Sequence, residues 1–137
     1  MIASDVMTRH PVVASSEASV GEVLEILRTM EFRHLPIVDG NELVGIVSDR
    51  DLRGLALTLA VDEDALTHLK ARLAAPIADL MSTDVVSVAP EDEIGEVIDL
   101  MIEHRVGAIP VVDESSGDLV GIVSYIDVLR ETRGALE

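Results

Sequence analysis

Two short segments of this chain pair a hydroxyl with a carboxylate at one spacing. Ser48-Asp49-Arg50-Asp51 closes the apolar run Leu43-Val44-Gly45-Ile46-Val47, and Ser124-Tyr125-Ile126-Asp127 closes Leu119-Val120-Gly121-Ile122-Val123. Ser-x-x-Asp opening a helix is a capping box. The serine hydroxyl accepts from the third backbone N–H, and the carboxylate bonds back to the serine's own N–H. A helix N-terminus whose N–H groups stay free is also a ready anion site. The pattern therefore admits a structural role and a ligand-binding one, and the two are compatible. Other chemistry finds little footing. His10, His34, His68 and His104 lack metal-ligand spacing, and the chain has no cysteine to help them. No Walker-type phosphate loop and no Gly-x-Gly-x-x-Gly occurs. Neither serine has an adjacent histidine base, so nucleophilic catalysis is not expected.

The elements that must position these pairs come as an internal repeat. At an offset of 74, Asp5-Val6-Met7-Thr8 matches Asp79-Leu80-Met81-Ser82. Val20-Gly21-Glu22-Val23 matches Ile94-Gly95-Glu96-Val97, and Leu35-Pro36-Ile37-Val38-Asp39 matches Ile109-Pro110-Val111-Val112-Asp113. Past Asp39 the offset becomes 76, so the second copy has two extra residues within Glu114-Ser115-Ser116-Gly117-Asp118, as befits a surface turn. In the first copy Val12-Val13 predicts a strand. Ser19 and Glu22 predict a helix start, with Val20, Val23, Leu24 and Leu27 on one face. His34–Val38 and Leu43–Val47 predict strands around the turn Asp39-Gly40-Asn41, and a helix should run from Ser48 to about Leu59. The second copy repeats this as Val85–Val88, a helix faced by Ile94, Val97, Ile98 and Met101, strands Ala108–Val112 and Leu119–Val123, and a helix from Tyr125 to Glu131. Asp62–Ala74 predicts an added helix stopped by Pro76.

Each copy thus reads β-α-β-β-α, an α+β fold. The division is residues 1–59 for the first repeat, 60–75 for a helical connector, 76–133 for the second repeat and 134–137 for a frayed tail. A right-handed crossover makes the first two strands of each copy parallel, and the tight turn makes the next antiparallel. With helices on one side of each small sheet, the copies are expected to pack sheet to sheet about a pseudo-two-fold axis and share a core. A lone half of about 50 residues would be marginal.

The formal net charge of −16 argues against nonspecific binding to nucleic acid or an anionic membrane. Phe32 and Tyr125 are the only aromatics, so the stacking platform that single strands favour is missing. Residues 1–60 hold 5 Arg against 9 acids, and residues 61–137 hold 5 Lys and Arg against 17 acids, so an anionic ligand meets less repulsion at the first copy. The absence of cysteine is compatible with the cytosol, and neither a signal peptide nor a membrane-length apolar run is seen. A cytoplasmic location is expected.

The paired motifs Leu35-Pro36-Ile37-Val38-Asp39 with Gly45-Ile46-Val47-Ser48-Asp49-Arg50-Asp51, and Ile109-Pro110-Val111-Val112-Asp113 with Gly121-Ile122-Val123-Ser124-Tyr125-Ile126-Asp127, resemble a tandem pair of cystathionine-β-synthase-type (CBS) domains, or Bateman module. The resemblance covers nearly the whole chain, which is similar to the small stand-alone CBS proteins of bacteria and archaea. It implies a non-catalytic, regulatory, energy-sensing role. An adenosine-containing ligand (AMP, ADP, ATP or S-adenosylmethionine) is implied in clefts between the copies, with homodimers and an unknown effector protein as partners. By the same resemblance Asp51 and Asp127 take the ribose, whose vicinal diol suits an acceptor-only carboxylate. Ser48, Arg50, Ser124, Arg33 and His34 meet phosphate, with Arg9 and His10 as further positive groups. Thr8, Val12, Val13, Ser82, Val85, Val86, Ile37 and Ile109 surround adenine, and Tyr125 serves as a lid. Gly107-Ala108 replaces the basic pair Arg33-His34 in the second copy, and Asp49 adds negative charge at the first, so AMP is expected over a polyphosphate. The alternative is a homodimerisation or protein-interaction module with empty or degenerate sites.

Overall fold

The computed structural model describes residues 1–30, 34–51 and 64–136. Arg33 and the helix expected from residue 52 to Leu59 lie outside the described residues. In chain order the elements are α1 (Ala3–Val6), β1 (Thr8–Arg9), β2 (Ala14–Ser15), α2 (Val20–Arg28), β3 (His34–Asp39), β4 (Glu42–Ser48), α3 (Ala65–Ala74), a 3-10 turn (Ile77–Asp79), α4 (Ile94–His104), β5 (Ala108–Val112), β6 (Leu119–Ser124) and α5 (Tyr125–Leu136). A further helical turn opens at Asp49.

The chain divides into two compact units. One gathers Met1–Val12, Asn41–Leu43 and Val85–Glu137, and the other Val13–Gly40 and Val44–Asp84. Packing therefore cuts across the repeats: the first residues of the chain join the second copy's hairpin, and the residues after the connector join the first copy's.

In the first unit the strand order is β1-β6-β5, with β6 antiparallel to both neighbours. Thr8 stands opposite Ile122 and Arg9 opposite Gly121. The core is Ala3, Val6, Val88, Val97, Met101, Ile109, Val111 and Val123. Two of these come from α1, which is why a segment only four residues long stays helical: its Ala3 is fully buried and its backbone ties to Asp92 O at 2.8 Å and Pro90 O at 2.9 Å. The expected strand at Val85–Val88 shrinks to a parallel bridge from Val88 to Val111, made by Val88 N–H to Pro110 O at 3.1 Å and Val112 N–H to Val88 O at 2.9 Å. Helix α5 continues to Leu136, through the tail expected to fray.

In the second unit the order is β2-β3-β4, with β2 parallel to β3 through Ala14 opposite Ile37. The strand expected at Val12-Val13 begins instead at Ala14, just after two exposed valines that follow Pro11. Helix α2 starts where Ser19 accepts from Glu22 N–H at 3.1 Å, and it buries Val20, Val23 and Leu27. Those three join Ala14, Leu35, Ile37, Val47 and Ile77 in a core of this unit's own. Each unit completes itself by borrowing a segment from the other copy of the repeat.

Gly121 lets β1 lie against β6. A Cβ there would stand 2.5 Å from Met7 Sδ and 3.0 Å from the backbone oxygen of Thr8. Gly45 plays the same part for Met81 and Ser82, at 2.5 and 3.1 Å. Methionine can swing aside, but a strand carbonyl cannot move without loosening its pairing. Gly121→Ala is therefore expected to destabilise by about 1–3 kcal/mol in urea unfolding. Arg105→Gly should shift the midpoint the other way, by up to about 1 kcal/mol, because Arg105 caps α4 at φ 55°, where glycine carries no Cβ penalty.

Candidate functional site

Strand β6 delivers Ser124 to the start of α5, and the last residue of β4, Ser48, stands likewise before the helical turn at Asp49. At both places the chain must change from a ladder to a helix. The third helical residue, a carboxylate, makes that change by reaching back. Asp127 Oδ2 accepts Ser124 N–H at 2.9 Å and the Ser124 hydroxyl at 3.0 Å, while Asp127 N–H donates to Ser124 Oγ at 3.2 Å. Asp51 Oδ2 accepts Ser48 N–H at 2.8 Å and its hydroxyl at 3.3 Å. The second copy forms both halves of the expected cap, and the first copy forms its carboxylate half. Ser124 is only 2% exposed, so its polar atoms need these partners.

The other oxygen is the one with capacity to spare. Asp127 Oδ1 meets only the Thr8 hydroxyl among the described residues, at 3.3 Å, with Oδ2 at 3.4 Å from the same donor. That bond is long and divided, hence weak. Asp51 Oδ1 accepts from none of the described residues. In each half-buried carboxylate, then, the cap engages Oδ2, and among the described residues Oδ1 keeps acceptor capacity for hydroxyl donors. Ser82 stands opposite Ile46 with paired backbone bonds of 3.0 Å, as Thr8 stands opposite Ile122, yet no bond joins Ser82 to Asp51 among the described residues.

A family model for the CBS domain matches residues 3–57 and 77–134. The chain belongs to the CBS domain family. Among curated relatives, it is 30% identical over 132 residues to inosine-5'-monophosphate dehydrogenase of Methanocaldococcus jannaschii, a match that takes in 96% of this chain and 23% of that enzyme. The chain spans only about a quarter to a half of the lengths of the first curated relatives it matches. Among solved structures, CBSX2 in complex with AMP is 28% identical with a TM-score of 0.82, covering 99% of this chain and 98% of that one. The CBS domain pair of MJ0100, in complex with 5'-methylthioadenosine and S-adenosyl-L-methionine, is 27% identical with a TM-score of 0.75, covering 98% of each chain.

The CBS motif residues fall unevenly. Ser124, Asp127, Tyr125 and Thr8 come together in one unit, and Ser48, Arg50, Asp51, His34 and Ser82 belong to the other. His34 opens β3 and is half-buried, and Arg50 is exposed. Ile37 and Ile109 are fully buried in the two cores, so neither side chain offers a surface to a base. Val12 and Val13 are exposed, at 56% and 37%. Val85 and Val86 are half-buried, and Val86 packs on the first unit's core. Sequence reasoning missed two things. Met7 and Met81 are the side chains that cover Gly121 and Gly45. Thr8 serves the carboxylate of the opposite copy. The matched Met-Thr and Met-Ser pairs were the available signal, but an offset says nothing about which copy a segment joins. Among the described residues, no three metal-ligating side chains converge and no helix is long and apolar enough to cross a membrane.

The cap geometry ranks the site residues by stability. Asp127→Ala removes both bonds to Ser124 and should cost about 1–2 kcal/mol in ligand-free denaturation. Thr8→Val removes only the long shared bond and should cost under about 0.5 kcal/mol, the lower end for a hydrogen bond.

Proposed function

We propose that this CBS pair is a regulatory module that binds an adenosine-containing nucleotide, AMP-like in carrying one phosphate, and that it senses energy state without catalysing a reaction. The reading rests above all on the repeated cap. Each copy uses one carboxylate oxygen to hold its helix and leaves acceptor capacity on the other, to which the hydroxyls of a ribose can donate. Two similar solved structures hold AMP or 5'-methylthioadenosine and S-adenosyl-L-methionine, which supports the ligand class. Asp51 and Asp127 hold the ribose. Ser48, Arg50, Arg33 and His34 hold phosphate at the first copy, and Ser124 is the matching hydroxyl at the second. Thr8, Ser82, Val12, Val13, Val85 and Val86 border the adenine, with Tyr125 over it. The homologous dehydrogenase shares only its CBS part with this chain, which fits a non-enzyme. A cysteine-free chain with no membrane-length helix among the described residues fits the cytoplasm. A ligand shifts an equilibrium only through unequal affinity for two states, so an effector protein or a second copy must read the change.

A second reading, a self-association module, draws on one observation. Tyr125, Leu129 and Leu136 lie on one stripe of α5 and are 46%, 59% and 83% exposed, so the helix turns apolar surface outward. A homodimer through this stripe is compatible with ligand sensing, and it is the whole function only if the sites stay empty.

Thermal melts with AMP, ADP, ATP, adenosine and S-adenosylmethionine separate the two. At about a hundred times Kd, a binding ligand adds about 2.7 kcal/mol and raises the melting temperature saturably. No shift with any of the five refutes sensing. Asp127→Ala should also weaken nucleoside binding about tenfold or more, read by calorimetry, through loss of charge-assisted bonds.

A further inference from the structure

The donors at the head of α5 are already engaged. Tyr125 N–H donates to Gly107 O at 2.9 Å, and Asp127 N–H donates to Ser124 Oγ at 3.2 Å. Ser124 N–H is held by the Asp127 carboxylate. Of the groups a helix start can offer an anion, only Ile126 N–H is without a partner among the described residues. The side chains at the matched positions supply no substitute. Residues Gly107-Ala108 occupy the place of Arg33-His34, and the fold sets them directly against this loop, since Ala108 stands opposite Ser124. The loop itself carries Tyr125 and Ile126. Arg9 follows Thr8 along a strand, where successive side chains point to opposite faces. Because Thr8 turns its hydroxyl to Asp127, Arg9 faces away from it. His10 then leaves the strand at φ 51°. Among the described residues, no cationic side chain bonds to Ser124 or Asp127.

We infer that the Asp127 site takes an adenosine whose 5′ substituent carries no negative charge, neutral or cationic, and that it discriminates against a 5′-phosphate. The inference rests on the proposed nucleoside binding and adds a division of labour to it. A hydroxyl pair needs only the Oδ1 acceptor, which is present. A phosphate needs donors and cations, and here the donors hold the helix together while Gly107, Ala108 and Ile126 stand where the first copy has Arg33, His34 and Arg50. An anion in this place would also meet the Asp127 charge, which no cationic side chain among the described residues neutralises.

The test uses the full chain with Asp51→Ala, which leaves the Asp127 site as the intact one, titrated calorimetrically with adenosine, 5′-methylthioadenosine and AMP. Adenosine and methylthioadenosine should bind about tenfold or more tightly than AMP, the size of one lost charge-assisted contact. Ile126→Arg, which places a cation where the first copy has Arg50, should then raise AMP affinity about tenfold and leave adenosine nearly unchanged. AMP binding as tight as adenosine in Asp51→Ala overturns the inference while the nucleoside-binding reading survives. Binding of none of the three to the wild-type chain overturns both. If Asp51→Ala unfolds, Ile126→Arg in the wild-type background decides alone: a gain in AMP stoichiometry or affinity supports the inference, and no change overturns it.

Discussion

The approach of one strand to another at two glycines governs what this molecule can do. Strands β1 and β6 lie so close at Gly121 that a single added carbon would sit 3.0 Å from a strand carbonyl. That proximity seats Thr8 opposite Ile122 and carries its hydroxyl to Asp127, 119 residues away in sequence. It also brings α1 with it, and with α1 two of the residues that fill the first unit's core. The same arrangement recurs at Gly45, where Met81 and Ser82 take the places of Met7 and Thr8. Core, sheet edge and candidate site in each unit therefore share one geometric condition. A change at either glycine acts on stability and on the site together, although neither glycine has a side chain to contribute.

Capping and ligand binding are compatible uses of Ser-x-x-Asp, and the geometry leaves one residue room for both. The serine engages Oδ2 of each aspartate, at 2.9 and 3.0 Å in the second copy and 2.8 and 3.3 Å in the first. A carboxylate accepts at both oxygens, so Oδ1 remains. The cap also fixes the carboxylate's orientation before any ligand arrives, which lowers the ordering that binding must impose. The cost is that the helix start can no longer give the same N–H groups to an anion.

Much of this was legible in the sequence. The hairpins were visible because β-branched runs flank Gly40 and Gly117, both at positive φ, and strand β5 matches its expected residues. Helix α2 was visible through Ser19 and its apolar spacing. Periodicity carried less where elements are held by tertiary bonds. Val85–Val88 has a strand's composition but makes a single bridge, and Val12-Val13 stays exposed while pairing begins at Ala14. Ile37 and Ile109 fitted an apolar slot by type, yet alternation along β3 and β5 turns them into the cores. The exchange of segments between copies was beyond reach, because a repeat pattern is identical whether Met7-Thr8 packs on its own hairpin or on the other.

Duplication explains how one backbone device comes to serve unlike chemistry. The cap constrains only the first and fourth residues of each loop, so the two between them are free to diverge. They are Asp49 and Arg50 in one copy and Tyr125 and Ile126 in the other. Divergence in the adjoining strand runs in the same direction, with His34 at the start of β3 and Ala108 at the start of β5. Charged groups of both signs thus gather around the first cap and apolar ones around the second. The fold holds both carboxylates in one geometry, and the intervening residues decide what each can recognise beyond a pair of hydroxyls. On the proposed reading, that separation of a fixed acceptor from a variable surround would let the two sites respond to different ligands without altering the packing that presents them.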